Sequence, residues 1–78
     1  MSLQLPVISG RDAVKALGKA GFETVKGRGK GSHIVMAKTD HPGIITIPDH
    51  RELDRGTLRA IIRQAGLSVD EFIALLRR

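Results

Sequence analysis

The sequence has no cysteine, no tryptophan and no tyrosine, and it has only two phenylalanines and three prolines in 78 residues. Without cysteine there is no disulfide, no thiolate zinc site and no thiol nucleophile, and a reducing, cytosolic setting is the expected one. So few aromatic rings argue against the single-strand readers that stack bases on several aromatic side chains, such as RRM or OB-type domains. Recognition of RNA by shape and phosphate stays open. No apolar run approaches the ~18 residues that suggest a membrane-spanning helix. Met1 to Pro6 has neither the basic start nor the long apolar stretch of a signal peptide, so none is expected.

What is present is ordinary for a small globular domain. Hydrophobic residues make up 41% of the chain, too many for a disordered segment. The length leads us to expect one domain over residues 1–78, with a thin core, because a chain of this size buries only about 60% of its unfolded surface. The net charge is +5, and it is unevenly placed. Residues 1–39 hold seven basic and two acidic residues, whereas residues 40–78 hold six of each. A basic half suits a polyanionic partner, nucleic acid or an acidic protein, and equally a solubilising surface.

Ser9 with Asp12 three residues on is an N-cap signal, and apolar residues Ala13, Val14, Leu17 and Ala20 follow at helical spacing. Gly21 suits the position just past a helix end. A first helix is predicted over Gly10–Ala20, with Arg11, Lys15 and Lys19 along its exposed side. Phe22 to Lys26 alternates as a half-buried strand should. Three glycines within Gly27 to Gly31 make a turn, Ser32 to Lys38 reads as a second strand, and Asp40-His41-Pro42-Gly43 is a turn. Ile44 to Ile47 is a third strand, ended by Pro48. A second helix is predicted over Arg55–Ala65, stopped by Gly66, and Ser68 with Glu71 is a capping box opening a short third helix. The expected class is α+β, in the order α-β-β-β-α-α. Its antiparallel three-stranded meander is covered by helices on one face. Alternation then assigns Ile34 and Met36 to the covered face, and His33 and Val35 to the open one.

Arg28, Lys30, Ser32 and His33 stand among the glycines of residues 27–33. An imidazole transfers protons near neutral pH, while cations and free backbone amides can steady charge on a phosphate. Together they could cleave RNA without metal. The base takes the proton from a ribose 2′-hydroxyl, and that oxygen attacks its own phosphate. The segment is not a P-loop, because the Gly-x-x-x-x-Gly-Lys spacing is absent. On residue type alone, His33 is either such a group or an exposed strand histidine without a duty. His41, in a turn, reads as solvated. His50 reads as structural, with binding as the secondary option. The histidines lack zinc-enzyme spacing, so no metal and no other cofactor is expected. Asp49, Glu52 and Asp54 read as acids favouring the start of the second helix. Arg55, Arg59 and Arg63 are a solvated face or a partner-binding stripe.

Gly31-Ser32-His33 opening a strand resembles the Gly-Ser-His motif of the HicA toxins, and Pro48-x-His50 resembles that family's next landmark. The stretch from Gly56 to Gly66 is similar to its most recognisable segment, roughly Gly-Thr-Leu-x-x-Ile-x-x-Gln-Ala-Gly. The resemblance spans about Ile8 to Leu76. It implies a double-stranded-RNA-binding-domain-like fold, cleavage of messenger RNA with His33 as the catalytic residue, and a role in stress response. It also implies neutralisation by a HicB-type antitoxin in a bacterial or archaeal cytosol. Arg28, Lys30 and Ser32 are then expected at the phosphate, with Lys26, Lys15 and Lys19 extending the RNA-binding surface. Two other readings stand beside it: a non-catalytic RNA-binding module of the same fold, and a domain that only binds its protein partner.

Overall fold

A computed structural model describes residues 4–26 and 31–78. The first helix, α1 (Gly10–Lys19), begins as its sequence demands. The Ser9 hydroxyl accepts the Asp12 N–H at 3.0 Å, and the Asp12 carboxylate accepts the Ser9 N–H at 3.2 Å. Each satisfies a backbone donor that the helix itself cannot pair. The helix stops at Gly21, whose φ of +102° lets the Gly21 and Phe22 amides turn back onto the Gly18 and Leu17 carbonyls.

Three strands follow as an antiparallel meander in the order β1 (Glu23–Thr24), β2 (His33–Ala37), β3 (Ile45–Pro48). The first is shorter than the predicted Phe22 to Lys26. The Phe22 N–H closes α1 instead of joining the sheet, and the Phe22 ring is buried. Val25 continues the pairing past the strand, its N–H on the Val35 carbonyl at 2.8 Å. Pro48 ends β3 from within, as its last residue. It lies opposite His33, while the neighbouring hydrogen bond runs from the Asp49 N–H to the Ser32 carbonyl at 2.5 Å. Pro48 therefore occupies a non-hydrogen-bonded pair, where a missing N–H leaves the ladder intact.

The second helix, α2 (Arg55–Gln64), is capped by Asp54, and the third, α3 (Val69–Arg77), opens with the predicted Ser68–Glu71 capping box. Helix α2 ends like α1: Gly66, at φ +73°, lets the Gly66 and Leu67 amides reach the Arg63 and Ile62 carbonyls. Both α1 and α2 pack on β3, and α3 packs on both helices. Leu17, Met36, Ile45, Ile47, Leu58, Ile61 and Phe72 are fully buried between helices and sheet. Burying each such side chain stabilises the fold by about 1.5–3 kcal/mol, before chain entropy is set against it.

The expected alternation along β2 holds, with two differences of degree. Ile34, assigned to the covered face, is only half-buried at its margin. Val35, assigned to the uncovered face, is only 5% exposed, yet it lies outside the main core cluster. It is the middle residue of the middle strand, flanked by Val25 on one side and Thr46 on the other. Lateral neighbours can bury such a residue without a helix above it.

Candidate active site

The sheet end that carries His33 is held by three segments meeting at one place. The Asp49 N–H bonds Ser32, the Gly10 N–H donates to the His50 carbonyl at 2.9 Å, and the Leu53 N–H donates to the Ile8 carbonyl at 2.8 Å. Gly10 is required there, because a Cβ on it would lie 2.0 Å from the Pro48 carbonyl oxygen. The close approach brings Arg11 onto Asp49. Its Nε and one terminal nitrogen donate to the two carboxylate oxygens at 3.2 and 3.3 Å. Arg11 is 80% exposed, so the pair contributes about 0–1 kcal/mol and serves more to fix a position than to add stability.

His33 is the first residue of β2, exposed, directly across from Pro48. None of the side-chain hydrogen bonds among the described residues uses its ring. Ser32 is exposed beside it and holds Asp49 through its carbonyl. Lys26 is exposed just after the paired Val25, on the strand-like segment neighbouring β2. Arg28 and Lys30, expected at the phosphate, lie outside the described residues. His50 is exposed, two residues beyond His33's cross-strand partner.

The cations of α1 do not form one free stripe. Arg11 is committed to Asp49. Lys19, at the other end, donates to the Leu75 carbonyl at 3.1 Å and to the Arg78 carbonyl, so it serves the C-terminus of α3. Lys15, between them, lines both the groove between α1 and α3 and the groove between α1 and the sheet margin at Thr24 and Ile34. The acids before α2 divide as well. Asp54 alone caps the helix, with Thr57 donating from its hydroxyl at 2.5 Å and its N–H at 3.3 Å. Those bonds, the hydroxyl's foremost, hold the Asp54 carboxyl below its usual value. Asp49 belongs to the junction instead. Sequence reasoning missed the Gly10–Arg11–Asp49 contact because its partners are 38 residues apart. Only opposite charge hinted at it.

His41 is not simply solvated. Its Nε2–H donates to the Gln64 carbonyl at 2.6 Å, and its ring meets Phe22 edge-on at 5.2 Å. Because a carbonyl can only accept, Nε2 must carry the proton. Among the described residues, no three His, Cys, Asp or Glu side chains stand together as metal ligands. Nor is any helix there long and apolar enough to cross a membrane.

This order of elements, with helices over one face of a three-stranded antiparallel sheet, defines an α+β protein of the double-stranded-RNA-binding-domain-like class. Residues 10–67 match the family described as HicA toxin of bacterial toxin-antitoxin, and the chain belongs to that family. A chain solved in a toxin–antitoxin complex from Streptococcus pneumoniae is similar in structure. The TM-score is 0.68 at 43% identity, over 77% of this chain and 98% of that one. No curated protein sequence matches.

Proposed function

We propose that the chain is the toxin of a HicA/HicB-type pair, a metal-independent endoribonuclease that cleaves messenger RNA, with His33 as its catalytic residue. One observation carries this reading. His33 is an exposed imidazole with no hydrogen-bond partner among the described residues, at a sheet end that three segments hold in place. A group that must touch substrate needs such freedom at its ring, and it also needs a fixed backbone.

His33 takes the proton of a ribose 2′-hydroxyl, and that oxygen attacks the adjacent phosphorus. Arg28 and Lys30, three to five residues before it, supply cations for the charge on the phosphate. The messenger substrate puts the protein in the cytoplasm. The antitoxin reading rests on the family and on the similar chain having been solved in a toxin–antitoxin complex.

The test is incubation of wild type and His33→Ala with single-stranded RNA in EDTA, with products resolved on a gel. Cleavage by the wild type alone is the expected result. Cleavage retained by His33→Ala removes the mechanism. Salt-sensitive RNA binding without cleavage by either protein moves the chain to a non-catalytic RNA-binding module.

A further inference from the structure

We propose that His50 is the second proton-transfer group of this site, the acid that protonates the leaving 5′-oxygen. This assignment rests on the ribonuclease reading above and extends it, since that reading names a base for the 2′-hydroxyl and no side chain for the leaving oxygen.

The register supplies the geometry. His33 faces Pro48 directly across the β2–β3 ladder, and the Asp49 N–H bond to the Ser32 carbonyl carries the same register one pair beyond the strand. The His50 carbonyl continues the alternation, turned to the free edge, where it takes the Gly10 N–H at 2.9 Å. Successive side chains alternate between faces, so His50 shares a face with Pro48 and His33. It is the diagonal neighbour of His33, a relation that puts Cα atoms about 7–8 Å apart. Attacking and leaving oxygens lie on opposite sides of an in-line phosphorus. Two rings, each within about 3 Å of its own oxygen, can straddle one phosphate at that spacing. Both imidazoles are exposed, whereas the third, His41, is occupied by Gln64. The Gly10 bond also fixes the His50 backbone, as a group that must meet a defined oxygen requires.

The step balances. The 2′-oxygen forms a bond to phosphorus as its proton passes to His33. The bond from phosphorus to the 5′-oxygen breaks as His50, in its imidazolium form, gives that oxygen a proton. The products are a 2′,3′-cyclic phosphate and a 5′-hydroxyl. Hydrolysis of the cyclic phosphate runs the roles in reverse, with His50 taking a proton from water and His33 returning one to the 2′-oxygen.

The experiment compares two oligoribonucleotides cut at the same mapped position, one natural and one with sulfur replacing the bridging 5′-oxygen there. A thiolate leaves without protonation, so it does not need the acid. His50→Ala is expected to slow cleavage of the natural RNA by about 100-fold or more, yet to cut the sulfur substrate within about threefold of wild type. His33→Ala is expected to fail on both. Equal loss on both substrates by a folded His50→Ala, or no loss on either, overturns the assignment. His50→Gln, which keeps a polar side chain and cannot shuttle a proton, should repeat the pattern. It guards against a packing effect, with the urea midpoint checking each fold. If wild type cuts neither RNA, the ribonuclease reading itself has failed. If wild type and His50→Ala cut both equally well, only the role of His50 has.

Discussion

The β2–β3 hairpin has a histidine at each end, and the two are used differently. At the turn end, His41 is half-buried, bonded to the Gln64 carbonyl and set edge-on against Phe22, which also carries the Lys38 ammonium 5.6 Å over its ring. At the other end, His33 is exposed, and the junction beside it is held by the backbone bonds of Ser32 with Asp49 and Gly10 with His50 and by the Arg11–Asp49 side-chain pair. Gln64 is the last residue of α2, and its carbonyl is left over once Gly66 and Leu67 have closed onto Arg63 and Ile62. His41 fills that vacancy. One end spends its imidazole on the fold. The other uses main-chain groups to hold the fold and leaves its imidazoles facing solvent.

The sharpest way to break this contrast is to exchange the losses. His33→Ala should reduce RNA cleavage by about 10³-fold or more and shift the urea-unfolding free energy by no more than about 0.5 kcal/mol. His41→Ala should do the reverse, costing about 1–2 kcal/mol through the lost hydrogen bond and ring contact while cleavage persists. Loss of cleavage in both, with both folded, would erase the distinction between the ends.

Glycines sharpen it next. An alanine at Gly10 would drive its Cβ into the backbone of Pro48 and Asp49, so Gly10→Ala should cost about 3 kcal/mol and disturb the His33 end. Gly18, on the same helix, has nothing within 4 Å of where its Cβ would stand. Gly18→Ala should instead stabilise the protein by about 0.5 kcal/mol in the same urea titration, through helix propensity. Equal effects at the two positions would mean that the junction at Pro48 is not tightly held.

These contrasts also show what could be read from sequence. The Ser9 N-cap with Asp12 and the Ser68–Glu71 capping box were legible because donor and acceptor are three residues apart. Gly21 and Gly66 were legible because closing a helix requires a backbone that glycine adopts freely. The meander followed from short connections, and the place of His33 at the start of β2 followed from the glycines before it. The failures were all long-range. Val35 is buried beside Val25 and Thr46, Asp49 is drawn from α2 to Arg11, Lys19 is drawn to the end of α3, and His41 finds a carbonyl 23 residues away. Each depends on where the tertiary fold delivers a group, which local patterning does not encode. His33 was recognisable as a candidate, but residue type alone could not separate it from His41.

The smallest effect is read by pH at the start of α2. That helix runs from Asp54, which accepts from Thr57, to Gln64, which accepts from His41. Asp54 is held below its usual value by the Thr57 hydroxyl and N–H, so its native state favours the carboxylate more than the unfolded chain does. Its contribution is therefore complete above the unfolded value, near 3.8, and is lost as pH falls through the lowered native value. Glu71, lowered chiefly by the Ser68 N–H, adds a loss of the same sign from its ordinary 4.5 downward. Asp54→Asn should thus flatten the fall in urea midpoint below about pH 4, and the double variant with Glu71→Gln should flatten it further. An acid slope that survives unchanged in Asp54→Asn and in the double variant would remove these two carboxylates from the acid loss.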